Sequence, residues 1–311
     1  MADRHIISVV IPVFRNEKSV SLTHAALIQL FDFDLNNKYQ LELIFVDDGS
    51  DDHSLQELIK IQRADSRVKV IGLTRNFGQA AAAEAGFRAA TGDALIAMSA
   101  DLQDPVDLIA QMISHFEGGS DVVVCYRQDR DDGLIAKLFS NITYGILRIT
   151  YPQIPKGGFD YLLFTRRVLQ TILTYGLKGK FFQTEIAWSG YPISFIPYSR
   201  KRRVHGKSQY TFGKKLKVFI DAVLDASYLP IRIISLAGVF LSILGFIYAG
   251  VVVNAWFFNK TPFTGYAPII ISVLVVGGLN ILLLGIVGEY IWRIYDHVRG
   301  KPNYVIKDIY Q

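Results

Sequence analysis

Cysteine is nearly absent. The 311 residues contain one, Cys125, which excludes a disulfide framework and fits a reducing compartment. It falls in the apolar run DVVVC, the pattern of a buried strand thiol. No G-x-G-x-x-G follows an expected strand, so a dinucleotide site is unsupported. Neither G-x-x-x-x-G-K-[ST] nor H-E-x-x-H occurs, and the six histidines are scattered, with no Ser/His/Asp arrangement. Chemistry must come from carboxylates, Gln and Arg. The formal charge of +5 is mild, so its distribution matters more than its total, and no nucleic-acid partner is expected. The opening MADRHIISVVIPV has a short apolar run and no small-residue cleavage site; it reads as a first strand, not a signal peptide.

Charge is also missing from two long stretches. Residues 233–258 contain none, and 267–288 contain none. At roughly 1.5 Å per residue either run crosses a bilayer core of about 30 Å. Trp256 and Trp292 lie near the ends, where interfacial aromatics are enriched. The connection NKTPFTGY carries one Lys, while the outer flanks hold Lys214, Lys215, Lys217 and Arg232, and Arg293, Arg299 and Lys301. The positive-inside rule then puts both flanks in the cytoplasm. Glu289 sits at the cytoplasmic end of the second span, within reach of the interface. Two further stretches, 134–149 and 212–229, space apolar residues at three and four with basic residues between. Each either lies on the membrane surface or packs on the soluble domain.

The first 125 residues alternate between strand runs (IISVVIPV, LELIFVDD, VKVIGLT, DALIAMS, DVVVCY) and helical runs at 18–31, 54–64, 78–91 and 105–117. This alternation predicts an α/β domain with a mostly parallel sheet. Ligands in such sheets bind beyond the carboxyl ends of the strands, where FRNE, DDGSDD, RNFG and SADLQD all fall. In DDGSDD, Ser50 or Asp51 is expected to cap the helix from 54. Asp104, before Pro105 and a helix, is expected to be an N-cap as well.

These clusters resemble the family 2 glycosyltransferases with a GT-A fold. The narrower resemblance is to the polyprenyl-phosphate glycosyltransferases, the group of dolichol-phosphate mannose synthases and bactoprenol glucosyltransferases. It is carried by VVIPVFRNE (9–17), VDDGSDD (46–52), RNFGQAAA (75–82), ADLQDP (100–105), GGFDYLLFTRRV (157–168), PYSRKRRVHGKSQY (197–210) and the GEYIWRIYDHVRGKPNY tail. The resemblance implies a GT-A type, mostly parallel sheet domain at 1–210 and an interfacial helix and linker at 211–232. Two transmembrane helices at 233–295 and a cytoplasmic tail at 296–311 complete the organisation.

It further implies hexose transfer with inversion, glucose from UDP-glucose, to a polyprenyl phosphate such as undecaprenyl phosphate at the cytoplasmic membrane face. Mannose from GDP-mannose is an alternative, as is a non-catalytic lipid-carrier or scaffold role. A processive synthase is disfavoured because QTEIAW lacks the Arg of Q-x-x-R-W. By resemblance, Pro12, Phe14, Asn16, Glu17, Asp47 and Asp48 hold the nucleotide, with Arg75 and Asn76 lining the same pocket. Asp101 and Gln103 hold Mg²⁺ or Mn²⁺, alternate residues of an extended segment pointing the same way. Ser99 stands where many relatives have Asp and marks a changed nucleotide contact. Asp160 is an orienting group or a base. Arg200, Arg202, Arg203, Lys207 and Ser208 receive the acceptor phosphate, or the basic run is a solvated face attracted to anionic lipid. Homo-oligomerisation stays open, because Gly277 and Gly278 permit helix packing.

Overall fold

The computed structural model describes residues 5–35, 38–128, 134–155, 159–175, 182–199, 229–258 and 267–311. The chain divides into two units, Met1–Ala226 with Pro302–Gln311, and Ser227–Lys301.

The first unit is built on an eight-stranded sheet. Its strands are β1 (Ile6–Val13), β2 (Gln40–Asp47), β3 (Val68–Leu73), β4 (Ala94–Ala97), β5 (Val122–Arg127), β6 (Tyr161–Thr165), β7 (Ile193–Tyr198) and β8 (Ile306–Tyr310). Helices α1 (Val20–Gln29), α2 (Ser54–Ala64), α3 (Gln79–Ala89) and α4 (Leu108–Glu117) connect the early strands. The later helices are α5 (Leu134–Thr150), α6 (Arg166–Tyr175) and α7 (Phe182–Trp188). Helix α1 continues into a π-helical turn, Leu30–Asp34. The order across the sheet is β7-β5-β6-β4-β1-β2-β3-β8. Burial explains the strands' composition: β1, β2 and β4 are almost wholly enclosed, so nearly every position is Ile, Val, Leu, Phe or Ala. Two apolar layers, one on each face, form the core. Cys125 is a buried thiol within it, and burial pushes its pKa up to about 12.

Topology decides where the polar residues meet. Strands β1 to β4 run parallel, so their carboxyl ends share one edge. β6 is antiparallel to β4 and to β5, which brings the start of β6 and the end of β5 to that edge. β7 runs parallel to β5, with Arg127 opposite Tyr198. β8 is antiparallel to β3 and starts at the same edge. Sequence alone assigns residues 306–310 to a tail; they complete the sheet instead. Asn303 Nδ2 donates to Glu84 Oε2 at 2.7 Å, and Thr74 N–H to the Val305 carbonyl at 3.0 Å, fastening this segment.

Helix α5 packs Leu147 with Ile154 and Ala187, and leaves Ile142 and Ile149 exposed. Most of the second predicted amphipathic stretch lies outside the described residues.

The second unit contains α8 (Leu229–Phe257) and α9 (Ala267–Val298). Both are long and apolar enough to cross a membrane, with mean hydropathy 2.0 over Gly238–Ala255 and 1.7 over Val275–Val298. Their large apolar side chains are exposed, Phe246 at 80 %; water penalises such a surface by about 25 cal/mol per Å². Glu289 pairs with Arg293, one turn on, at 3.2 Å.

Candidate active site

The loop after β1 folds on its own polar groups. Asn16 Oδ1 accepts the Phe14 N–H at 3.3 Å, and its backbone N–H donates to Ser54 Oγ at 2.8 Å. Glu17 Oε2 accepts the His53 N–H at 3.3 Å. Pro12 remains inside β1, opposite Val46. Arg15, at φ 55°, donates from Nε and Nη2 to the two carboxylate oxygens of Asp51, both at 2.6 Å. The expected caps of α2 are therefore used otherwise. Asp51 binds Arg15, Ser50 Oγ accepts the Arg15 N–H at 3.1 Å, and Asp52 accepts the Ser54 N–H at 3.0 Å.

Asp47 and Asp48 are neighbours with different environments. Asp48 accepts the Phe77 and Gly78 N–H groups at 2.7 and 2.8 Å, one on each oxygen. It holds the β3–α3 loop, a task its assignment as a nucleotide ligand did not include. Asp47 Oδ2 accepts the Ser50 N–H at 3.1 Å, while its buried Oδ1 has no partner. Burial pushes both carboxyls above the ordinary range, and the N–H bonds pull them only partly back. Arg75 and Asn76 are exposed on this loop, and the Arg75 guanidinium lies 4.0 Å from the Phe77 ring centre. Gly49 is obligatory at the contact: at φ +64°, a Cβ there would stand 2.4 Å from the Arg75 carbonyl carbon.

The segment after β4 is a turn, not an extended strand. Leu102 adopts φ 55°, and the Gln103 N–H donates to Asp101 Oδ1 at 3.3 Å. Alternation therefore does not explain how Asp101 and Gln103 come together; the turn does. A bulky residue in this region is an outlier typical of functional loops. Ser99 Oγ lies 2.9 Å from Asp101 Oδ1 and 2.5 Å from Asp104 Oδ2. Its one hydroxyl hydrogen sits between two carboxylates, contacts that the expected nucleotide role of Ser99 did not include. Asp104 is not the cap of α4, which begins at Leu108 after Asp107. It is buried, accepting the Ser99 N–H at 3.2 Å and the Tyr198 hydroxyl at 3.0 Å.

Asp160 precedes β6 at the same edge. Gln183 Nε2 donates to Asp160 Oδ1 at 2.8 Å and to the Phe159 carbonyl at 2.6 Å. Arg127 Nη2 reaches Asp160 Oδ2 at 3.3 Å, and the guanidinium also interacts with the Tyr198 hydroxyl. The Asp160 side chain still keeps 55 % of its surface exposed, so the carboxylate is oriented and accessible. Arg127, Gln183 and Tyr198 were not singled out from sequence. The visible signal for Arg127 was a cation ending an apolar strand, CYR. Arg200, Arg202, Arg203, Lys207 and Ser208 lie outside the described residues.

Among the described residues, no group of three or more His, Cys, Asp or Glu side chains could hold a metal. A hard divalent ion such as Mg²⁺ needs only one or two carboxylates when substrate phosphates complete its shell. The carboxylate of Asp101 and the amide oxygen of Gln103, in one turn, fit that demand.

Residues 8–173 match the Glycosyl transferase family 2 model. The uncharacterized glycosyltransferase YkcC of Bacillus subtilis is 34% identical over 310 residues, covering 99% of this chain and 95% of that protein. The SfII prophage-derived bactoprenol glucosyl transferase of Shigella flexneri is 31% identical, covering 97% of each chain. Glucosyl-3-phosphoglycerate synthase of Mycobacterium tuberculosis, solved with Mn²⁺ and UDP-glucose, superposes with a TM-score of 0.51 at 18% identity, over 71% of this chain and 79% of that one. The last likeness is one of fold, a GT-A sheet. With the strand-edge carboxylates in place and the family matched across more than half its length, the chain belongs to glycosyl transferase family 2.

Proposed function

We propose that this glycosyltransferase transfers glucose, with inversion, from UDP-glucose to a polyprenyl phosphate such as undecaprenyl phosphate at the cytoplasmic membrane face. The observation that carries this reading is the reach of the Shigella bactoprenol glucosyl transferase match. It covers 97% of both chains, the apolar helices together with the sheet. A lipid acceptor gives those helices a purpose: they hold the sheet domain where the acceptor resides.

The donor side follows from the pocket. The unpartnered Asp47 Oδ1 is an acceptor awaiting an N–H of the base, and burying it without one costs about 1–3 kcal/mol. Pro12, Phe14, Arg75 and Asn76 line the base and ribose, and Asn16, Glu17 and Asp48 keep that pocket in shape. Asp101 and Gln103 hold Mg²⁺ or Mn²⁺, which when bound neutralises charge on the departing diphosphate.

An acceptor oxygen attacks the anomeric carbon from the face opposite the diphosphate. The new C–O bond forms as the bond to the diphosphate oxygen breaks, and UDP leaves with the electron pair. A phosphate monoester is mostly ionised at neutral pH, with its second pKa near about 6, so it needs orientation more than deprotonation. Asp160, held by Gln183 and Arg127, is the orienting group. Arg200, Arg202, Arg203, Lys207 and Ser208 gather the acceptor phosphate. In this reading α8 and α9 form a membrane hairpin, with the sheet domain and both termini cytoplasmic, and the protein is free to form homo-oligomers.

Purified protein given radiolabelled UDP-glucose, undecaprenyl phosphate and Mn²⁺ is expected to yield a labelled organic-phase product. A parallel arm with GDP-mannose tests the sugar. No organic-phase label with either donor sinks the reading, and retained turnover in Asp101→Ala removes the metal assignment.

A further inference from the structure

The turn from Ser99 to Pro105 is fastened from three other elements. Thr23 Oγ1 on α1 donates to the Ala100 carbonyl at 3.0 Å. The Tyr161 hydroxyl on β6 donates to the Pro105 carbonyl at 3.0 Å. The Tyr198 hydroxyl, at the end of β7, donates to Asp104 Oδ1 at 3.0 Å, and both residues are buried. Of the three, only Tyr198 reaches a side chain connected to Asp101. Asp104 holds Ser99 through its backbone N–H and its hydroxyl, and that hydroxyl holds Asp101 Oδ1. Tyr198 is fixed in turn, opposite Arg127 in the β5–β7 register and edge-on to Tyr161 with ring centres 6.2 Å apart.

We propose that Tyr198 is a positioning residue for the donor metal, acting through Asp104 and Ser99 to set the carboxylate of Asp101. The inference rests on the reading of Asp101 and Gln103 as metal-holding residues. A serine here makes the device work. Its one O–H sits between two carboxylate oxygens and ties their positions together, whereas an Asp in its place would set a third carboxylate against two others. Tyr198 sits in the β5–β7 register and bonds Asp104, so the donor side and the β5–β7 end of the sheet share one hydrogen-bonded chain. Through Arg127 that chain continues to Asp160.

The test measures Mn²⁺ binding by electron paramagnetic resonance in the full-length protein with saturating UDP. Tyr198→Phe removes one hydroxyl from a ring whose packing is kept, and metal affinity is expected to fall 10-fold or more, the scale seen when a ligand's outer partner is lost. Ser99→Ala cuts the same chain closer to Asp101 and is expected to fall as far, which keeps the proposal testable if Tyr198→Phe folds poorly. The double variant is expected to be no weaker than the worse single, because both cut one path. Tyr191→Phe, which removes a hydroxyl bonded to Thr171 Oγ1 elsewhere in the domain, is expected to bind Mn²⁺ like the parent. Mn²⁺ affinity within twofold of the parent in both Tyr198→Phe and Ser99→Ala overturns the proposal, as does additivity in the double variant. If the parent itself binds no Mn²⁺ with UDP, the metal reading falls first and takes this inference with it.

Discussion

Gln183 is bonded to Asp160 and to the backbone beside it, its Nε2 donating one hydrogen to Asp160 Oδ1 at 2.8 Å and the other to the Phe159 carbonyl. Both amide hydrogens on Nε2 are therefore used, and the side chain sets the carboxylate's rotation. Gln183→Leu keeps the volume and removes both bonds. We expect kcat to fall by about 10–100-fold, since small misplacements of a reacting group are costly, with KM for UDP-glucose changed less than threefold. Steady-state kinetics at saturating acceptor check this; an equal rise in KM with kcat intact counts against the orienting role.

Asp47 is expected to trade stability for binding. Its folded carboxyl is held above the ordinary range by burial, against the pull of Ser50. A raised folded pKa means the native state binds the proton more tightly, so its contribution is lost as pH rises through that value. Above that value the charged, half-partnered carboxylate is a cost. Asp47→Asn should therefore raise the melting temperature at pH 7 while weakening UDP binding at least 10-fold by calorimetry. A lower melting temperature contradicts the burial argument.

Gly49→Ala forces a Cβ to within 2.4 Å of the Arg75 backbone from a positive-φ position. Strain of this kind is worth of order 1–3 kcal/mol, and the two loops must separate to relieve it. Lower stability in urea denaturation is expected, with weaker nucleotide affinity. Wild-type affinity in a folded Gly49→Ala protein argues that the Arg75 loop does not touch the nucleotide.

Acid should weaken the fold through a different carboxylate. Burial pushes Asp65 up, but hydrogen bonds from Arg67 and His24 outweigh it and bring its pKa down to about 2. With an unfolded value near about 3.9, its stabilisation is complete above pH 4 and lost as pH falls from 4 toward 2. The loss is about 2 kcal/mol. Denaturation curves across that window should be flatter in Asp65→Asn; an unchanged slope removes Asp65 as the source.

Asn303→Ala takes a donor from the buried Glu84, whose other oxygen bonds Arg88 at 2.9 Å. Hydrogen bonds to charged groups contribute about 1.5–3 kcal/mol, so a loss of that size is expected in urea melts of the full-length protein. No change shows that β8 is held by its ladder alone.

Periodicity and turn residues made β1 to β5 and the four helices among them legible, because enclosed strands and amphipathic helices write their burial into composition. The carboxyl-edge clusters were legible for the same reason: parallel strands put their ends together. Local function within those clusters was not. Ser50, Asp51 and Asp104 each look like helix caps in sequence. Arg15 and Tyr198, distant in the chain, compete for Asp51 and Asp104 and win, one by a two-bond ion pair and the other by a buried hydroxyl. Leu102 carries no mark of its left-handed backbone, so the turn at Asp101 read as extended. Gln183 and Arg127 become informative only when β6 is known to run antiparallel between β4 and β5. β8 escaped because five residues of mixed polarity, IKDIY, resemble any exposed terminus until β3 supplies the partner.

That last strand has a consequence for biogenesis. The ribosome makes β3 before β8, with α8 and α9 between them. The edge of β3 therefore stays open through translation of both apolar helices, offering unpaired N–H and C=O groups to any stray strand. The sheet is complete only once α8 and α9 have been made, so its last pairing forms after synthesis of the segment that the proposed function places in the membrane.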